Sequence, residues 1–385
     1  MASKDGQSPR SLKLSLRHPP AVFHYLLANP AGAHSLQLMP TQTIPERFSP
    51  ADGASPVDLF RRVSPHVAAL DKFMRQQVDQ FEPEIRNMAA YCLDTTGKRL
   101  RPTMVFIAGW KGEGIVEEEL VRAAGVVEMV HLATLVHDDI MDRAEIRRSR
   151  RTAAREFGSD AAVLLGDALF SQALHIASQF KTTEVCRLVS ESTRKVCSGE
   201  IMQTLRRRDL NISLEEYRRM IDLKTAELFR VSCYLGAALS GYEPAFARAA
   251  DEFGHRLGIA YQIYDDLVDF LGEEKHIGKT LGTDLATGKL TLPLMLLLQK
   301  VPAEERATIV SALQEGRSPG LATSKQRMTE LGIAADVVQA IDDELAAASA
   351  VLAPYITLPP VALMQQLCTM LKIQVTALSR AQFSQ

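Results

Sequence analysis

The run EMVHLATLVHDDIMDRAEIRRSRRT, residues 128–152, sets Asp138, Asp139 and Asp142 close together directly after apolar and small side chains. In a helix, positions i and i+4 share a face, so Asp138 and Asp142 point the same way. Like charges at that spacing repel and destabilise a bare helix. Such a pair calls for a cation. Hard oxygen ligands that leave room for water and phosphate suit Mg²⁺. Alone, the pattern is short and also fits a solvated acidic helix end. It recurs, however: YQIYDDLVDF carries Asp265, Asp266 and Asp269 at the same spacing, again after an apolar segment. Two such clusters, each ending an apolar helix, can face each other across one pocket.

From Val57 onward the apolar pattern is helical. Leu59, Val63, Val67, Leu70, Phe73 and Met74 recur at three- and four-residue steps. Residues 117–142, 161–180, 183–207, 214–239 and 246–271 read as further long helices, while residues 111–114 and 316–320 read as loops. No alternation bounded by hairpin turns marks a strand. The chain is therefore expected to be all-α: a single-domain bundle of long helices around a central cavity, covering residues 56–385. A hydrophobic content of 46% can fill a large core. Residues 1–55 differ. They are rich in Ser, Pro, Ala and His, and up to Thr43 Asp5 is their only acid, against Lys4, Arg10, Lys13 and Arg17. They read as an extension or disordered tail, with only a faint likeness to an organellar transit peptide.

The net charge of −2 offers no general attraction to nucleic acid. No uninterrupted apolar run approaches the roughly 18 residues that span a membrane, so no transmembrane segment is expected. The five cysteines, Cys92, Cys186, Cys197, Cys233 and Cys368, lack CxxC spacing and sit in apolar contexts. They read as buried free thiols in a reducing compartment, which favours a cytoplasmic location without excluding organellar import.

Taken together, GKRLRP (97–102), the 128–142 string, Arg147-Arg148, Gly166-Asp167, GEIMQ (199–203), Lys224-Thr225, QIYDDLVD and GKTLGTDLATGKLTLP (278–293) occur in one order. In this the chain resembles the trans-isoprenyl diphosphate synthases. That resemblance implies a homodimer that joins isopentenyl diphosphate to an allylic diphosphate. It implies Mg²⁺, three ions per site, on Asp138, Asp142 and Asp265, with Asp139, Asp266 and Asp269 in support. It gives Arg147, Lys224 and Lys279 to the allylic diphosphate. Lys98, Arg101, His131 and Arg148 go to isopentenyl diphosphate. Thr225 and Gln262 fall near the carbocation. Singly, each of these bases reads as a surface charge, and His131 as a core histidine; their shared order sets the assignment.

Short-chain members often carry aromatic residues just before the first cluster, where this chain has the small Ala133 and Thr134. The ATLVHDD string looks like the long-chain synthases, with the pocket floor deeper, at Phe170 or Leu174. Departures are Arg143 where a second acid is common, Ser149 in place of a frequent glycine, and the added Arg150-Arg151. Short-chain synthesis, a class I terpene cyclase and a non-catalytic subunit of a heteromeric synthase remain as alternatives. Lys98, Arg101 and Arg148 speak for elongation over cyclisation, and two complete acidic clusters speak against a non-catalytic role.

Overall fold

The computed structural model describes residues 56–93, 97–148, 150–272, 282–315 and 321–382. In chain order they form α1 (Pro56–Val78), α2 (Arg86–Leu93), α3 (Leu100–Ala108), α4 (Glu118–Met141), a ribbon of β1 (Ile146–Arg147) and β2 (Arg150–Arg151), α5 (Ala153–Phe157), α6 (Ser159–Ser178) and α7 (Glu184–Leu205). There follow α8 (Leu214–Ile221), a π-helical segment Asp222–Ala226, α9 (Glu227–Leu239), α10 (Pro244–Leu271), α11 (Thr283–Thr287), α12 (Leu292–Lys300), α13 (Ala303–Gln314), α14 (Leu321–Glu330), α15 (Ile333–Val351), a 3-10 turn Ala353–Tyr355 and α16 (Pro359–Gln382). The all-α expectation holds. The extension read over residues 1–55 and the loop read over 316–320 lie outside the described residues.

Two apolar cores form. One gathers Leu70, Phe106, Met129, Leu165 and Val189; the other gathers Phe229, Phe253, Leu294, Val337 and Met364. Helices α3 and α9 are the wall between them. Val105 and Phe106 turn to the first core while Met104 and Ile107 turn to the second, and α9 divides Leu228 and Val231 from Phe229 and Cys233 in the same way. A helix buried on both sides needs close neighbours. A Cβ at Gly236 of α9 would lie 2.2 Å from the Val105 carbonyl oxygen of α3, so only glycine permits this approach. The wall is also pinned electrostatically. Arg99, just before α3, donates to Glu128 in mid-α4 at 2.8 Å and lies 3.2 Å from Asp71 of α1. Both Arg99 and Glu128 are buried, so each charge requires the other.

Two expectations change. Three helices, Glu118–Met141, Ser159–Ser178 and Pro359–Ser379, are long and apolar enough to cross a membrane by length and composition. Uninterrupted runs missed them because isolated polar residues break the runs without lowering the average much. In the first helix 72% of the apolar window is buried within the fold. The cysteines are all free, but only Cys92, Cys233 and Cys368 are buried; Cys197 is exposed and Cys186 half-buried.

Gly236→Ala forces a methyl against backbone, an overpacking that costs about 1–3 kcal/mol. Calorimetry is expected to show Tm several degrees lower; an unchanged Tm would mean that α3 and α9 separate freely.

Candidate active site

Both acidic clusters sit at the C-terminal ends of long helices, where the helix dipole is negative and no basic residue stands in the last turn. Their local charge is thus left for something outside the helix to balance. The ends meet at a cavity of about 740 Å³. One part is polar, lined by Lys98, Arg101, His131, Asp138, Arg147, Arg148, Glu200, Lys224, Thr225, Gln262 and Asp265. The other is apolar, lined by Leu135, Val163, Phe170, Val196, Ile201 and Leu205.

Asp138 faces the cavity under strain. Burial, with Glu200 and Asp142 adding, lifts its carboxyl to about 6 against the pull of Lys224 and Arg147. Lys224 lies 3.8 Å from Asp138, contacts Glu200 and donates to Gln203 at 2.8 Å. Burial opposes its charge, but Asp138 and Glu200 outweigh that and hold its ammonium above the usual lysine value. Lys224 and Thr225 stand in the π-helical segment, a widened turn of the kind frequent at functional sites. Gly199 makes room for it: a Cβ there would lie 2.7 Å from the Lys224 backbone nitrogen. The segment also splits what reads as one helix over 214–239.

The six acids separate by role. Asp138 and Asp265 line the cavity from opposite helices. Asp139 is buried and accepts from Arg147 at 2.7 Å. Asp266 is buried and accepts from Tyr217 at 2.6 Å and Gln262 at 2.8 Å; burial and nearby Asp284 push its carboxyl well up. Gln262 in turn accepts from Thr225 at 2.6 Å, so one chain orients Thr225, Gln262 and Asp266. Asp269 is buried and accepts from Thr283 Oγ1 and the Asp284 backbone, each at 3.0 Å, anchoring the start of α11. Asp139, Asp266 and Asp269 are thus buried and hydrogen-bonded within the fold and do not line this cavity. Asp142, which caps α4 and does not line the cavity, contacts Arg207, with Lys289 3.5 Å from its other oxygen.

Among the bases, Arg101 and His131 form a pair at 3.1 Å. Burial, then Arg101 and Arg148, hold His131 well below its ordinary value, so the neutral ring can accept from Arg101. Lys279 lies outside the described residues. Glu200, Gln203, Arg207 and Lys289 were not singled out as site residues from sequence. GEIMQ and GKLTLP contain three of them; Arg207 has no local signal, because its partner is 65 positions away.

The four residues read as the tail wall divide. Thr134 and Phe170 line the cavity, but Ala133 is fully buried in the first core and Leu174 packs against that core.

Among the described residues, no three His, Cys, Asp or Glu side chains converge into a preformed metal cage. The donors still fit a hard cation. A few carboxylates facing open, cation-rich space suit Mg²⁺, which keeps waters and shares phosphate oxygens.

Fold and site together define an isoprenoid-synthase-type transferase. Residues 82–330 match the polyprenyl synthetase family. The octaprenyl diphosphate synthase of Haemophilus influenzae is 31% identical over 67% of this chain and 78% of its own length. The chloroplastic solanesyl-diphosphate synthase 2 of Oryza sativa subsp. japonica is 34% identical over 74% of this chain and 70% of its own. Among solved structures, a polyprenyl synthase from Caulobacter crescentus, complexed with calcium and isoprenyl diphosphate, superposes with TM-score 0.76 at 28% identity, covering 82% of this chain and 96% of that one. A decaprenyl diphosphate synthase from Rhodobacter capsulatus gives TM-score 0.74 at 29% identity, covering 83% and 98%. The chain belongs to the polyprenyl synthetase family and is a trans-prenyltransferase.

The raised Asp138 carboxyl makes a stability prediction. An acid whose folded pKa lies above its unfolded value stabilises the fold at low pH and loses that contribution as pH rises through about 6. Asp138→Asn keeps the shape and removes the charge, and Glu200 remains for Lys224. Without metal, its Tm is expected to exceed wild type by a few degrees at pH 8, the gap narrowing below about pH 6 and closing near pH 4. Equal melting at pH 8 would mean that Asp138 is not strained.

Proposed function

We propose that the protein condenses isopentenyl diphosphate with an allylic diphosphate to give a trans-polyprenyl diphosphate longer than C20, using Mg²⁺. The observation that carries this is the division of one cavity into a cationic, carboxylate-bearing end and an apolar end with small Thr134 in its wall. Asp138, Asp142 and Asp265 would hold the metal, expected as three ions. Bound Mg²⁺ supplies positive charge against which pyrophosphate can leave.

The chain's own groups do the rest. Lys224 and Arg147 receive the allylic diphosphate. Lys98, Arg101 and Arg148 receive that of isopentenyl diphosphate, with His131 kept neutral as Arg101's acceptor. The allylic C–O bond breaks and its electron pair leaves with pyrophosphate. The isopentenyl double bond attacks the resulting cation, and a proton departs to the released pyrophosphate. The oxygens of Thr225 and Gln262, already joined at 2.6 Å, offer partial negative charge near that cation. Apolar walls keep water from trapping it. The convergence of a second cationic set on this cavity supports elongation over cyclisation.

Assembly is part of the reading. Val163, Leu164, Ile201 and Leu205 are exposed on α6 and α7, Leu205 at 78%. Val163, Ile201 and Leu205 also line the cavity's apolar end, and their exposure in one chain favours a homodimer that covers that end. Light scattering at micromolar concentration is expected to give about twice the chain mass, and a fully active monomer would refute this.

Chelation of Mg²⁺ is expected to abolish turnover. Thr134→Phe is expected to shorten products toward C15 or C20, read by chromatography, while starter consumption continues. Ala133→Phe instead overpacks the core and lowers Tm. Unchanged products from Thr134→Phe would show that the tail passes elsewhere.

A further inference from the structure

Asp142 is held from both sides. Arg207 contacts Oδ1 through Nη2 and donates through Nη1 to the Met141 carbonyl at 3.2 Å. Lys289 Nζ lies 3.5 Å from Oδ2 and 4.0 Å from Asp284. Both oxygens thus face cations, and a metal on Oδ2 would compete with the Lys289 charge for it. The two cations are not equally placed. Arg207 grips α4 with two prongs of a planar fork, a geometry that fixes orientation. It also sits where the helix dipole favours a cation. Its turn is fastened independently. The Arg207 backbone nitrogen donates to Thr204 at 3.3 Å, and that of Arg208 donates to the Gly288 carbonyl at 3.0 Å. Lys289 is a single point charge divided between two acids at longer range.

We infer that Arg207 is a positioning residue for the metal site: it keeps Oδ1 of Asp142 and aims Oδ2 at the cation, while Lys289 is the group that withdraws. This rests on the metal-dependent reading above. Ligating carboxylates are commonly oriented by such outer hydrogen bonds, whose loss weakens metal binding about 10–100-fold. A purely electrostatic view gives the opposite sign, because removing a positive charge beside a metal ligand should tighten binding.

The test is calorimetric. Farnesyl thiolodiphosphate, which resists ionisation, is titrated into the full-length protein over a series of Mg²⁺ concentrations. The Mg²⁺ that gives half the maximal affinity gain is the readout. Arg207→Gln is expected to raise that concentration about tenfold. Arg207→Lys keeps the charge but not the fork and is expected to raise it also. Metal-free Tm for both should stay close to wild type. An equal or lower Mg²⁺ requirement in Arg207→Gln would overturn the inference, as would a wild-type value in Arg207→Lys. Absence of any Mg²⁺ effect in wild type would instead overturn the metal-dependent function itself, and this inference with it.

Discussion

Negative charge gathered at the inner ends of α4 and α10, with no basic residue in the last turn of either helix, is the constraint on which the rest depends. Both helices point their negative dipole ends at one cavity and carry carboxylates there. Left alone, that arrangement opposes folding. The apolar burial of two cores on either side of α3 and α9 offsets it, and Lys224, Arg147, Arg207 and Lys289 neutralise it in part. Asp138 stays strained, because burial, with Glu200 and Asp142 adding, lifts its carboxyl to about 6. The proposed function gives that charge a purpose: a cation and its diphosphate would balance it.

Much of this was legible in the sequence because helical periodicity is local. The helix read over 117–142 is Glu118–Met141, and that over 246–271 is Pro244–Leu271. What was illegible depended on distant contacts. Nothing near Leu223 announces the π-helical segment; it follows from the close passage of α7 at Gly199. The ribbon at Ile146–Arg147 has two residues per strand, too few to alternate. The DDxxD spacing marks three acids as alike, yet helix geometry turns Asp139 inward to Arg147 and leaves Asp138 on the cavity. The second cluster is divided the same way, with Asp265 on the cavity and Asp266 and Asp269 tied to Tyr217 and Thr283. Arg207 reaches Asp142 only through the folded path of α6 and α7, so no spacing rule could find it.

The cavity's two chemistries explain how one site can ionise a substrate and house a growing hydrocarbon. The charged end holds diphosphates whatever the tail length, so the tail's route sets the product. Thr134 and Phe170 both line the cavity, the Phe170 ring 5.8 Å from His137. On the proposed function, chain length is a matter of wall shape, separable from the carboxylates at the charged end.

The most direct measurement of this account is mass spectrometry of the products that purified protein makes from isotopically labelled isopentenyl diphosphate, farnesyl diphosphate and Mg²⁺. The account predicts a series of diphosphates, each one five-carbon unit longer than the last, ending beyond C20. A single addition, a cyclised hydrocarbon with free pyrophosphate, or no incorporation would contradict it.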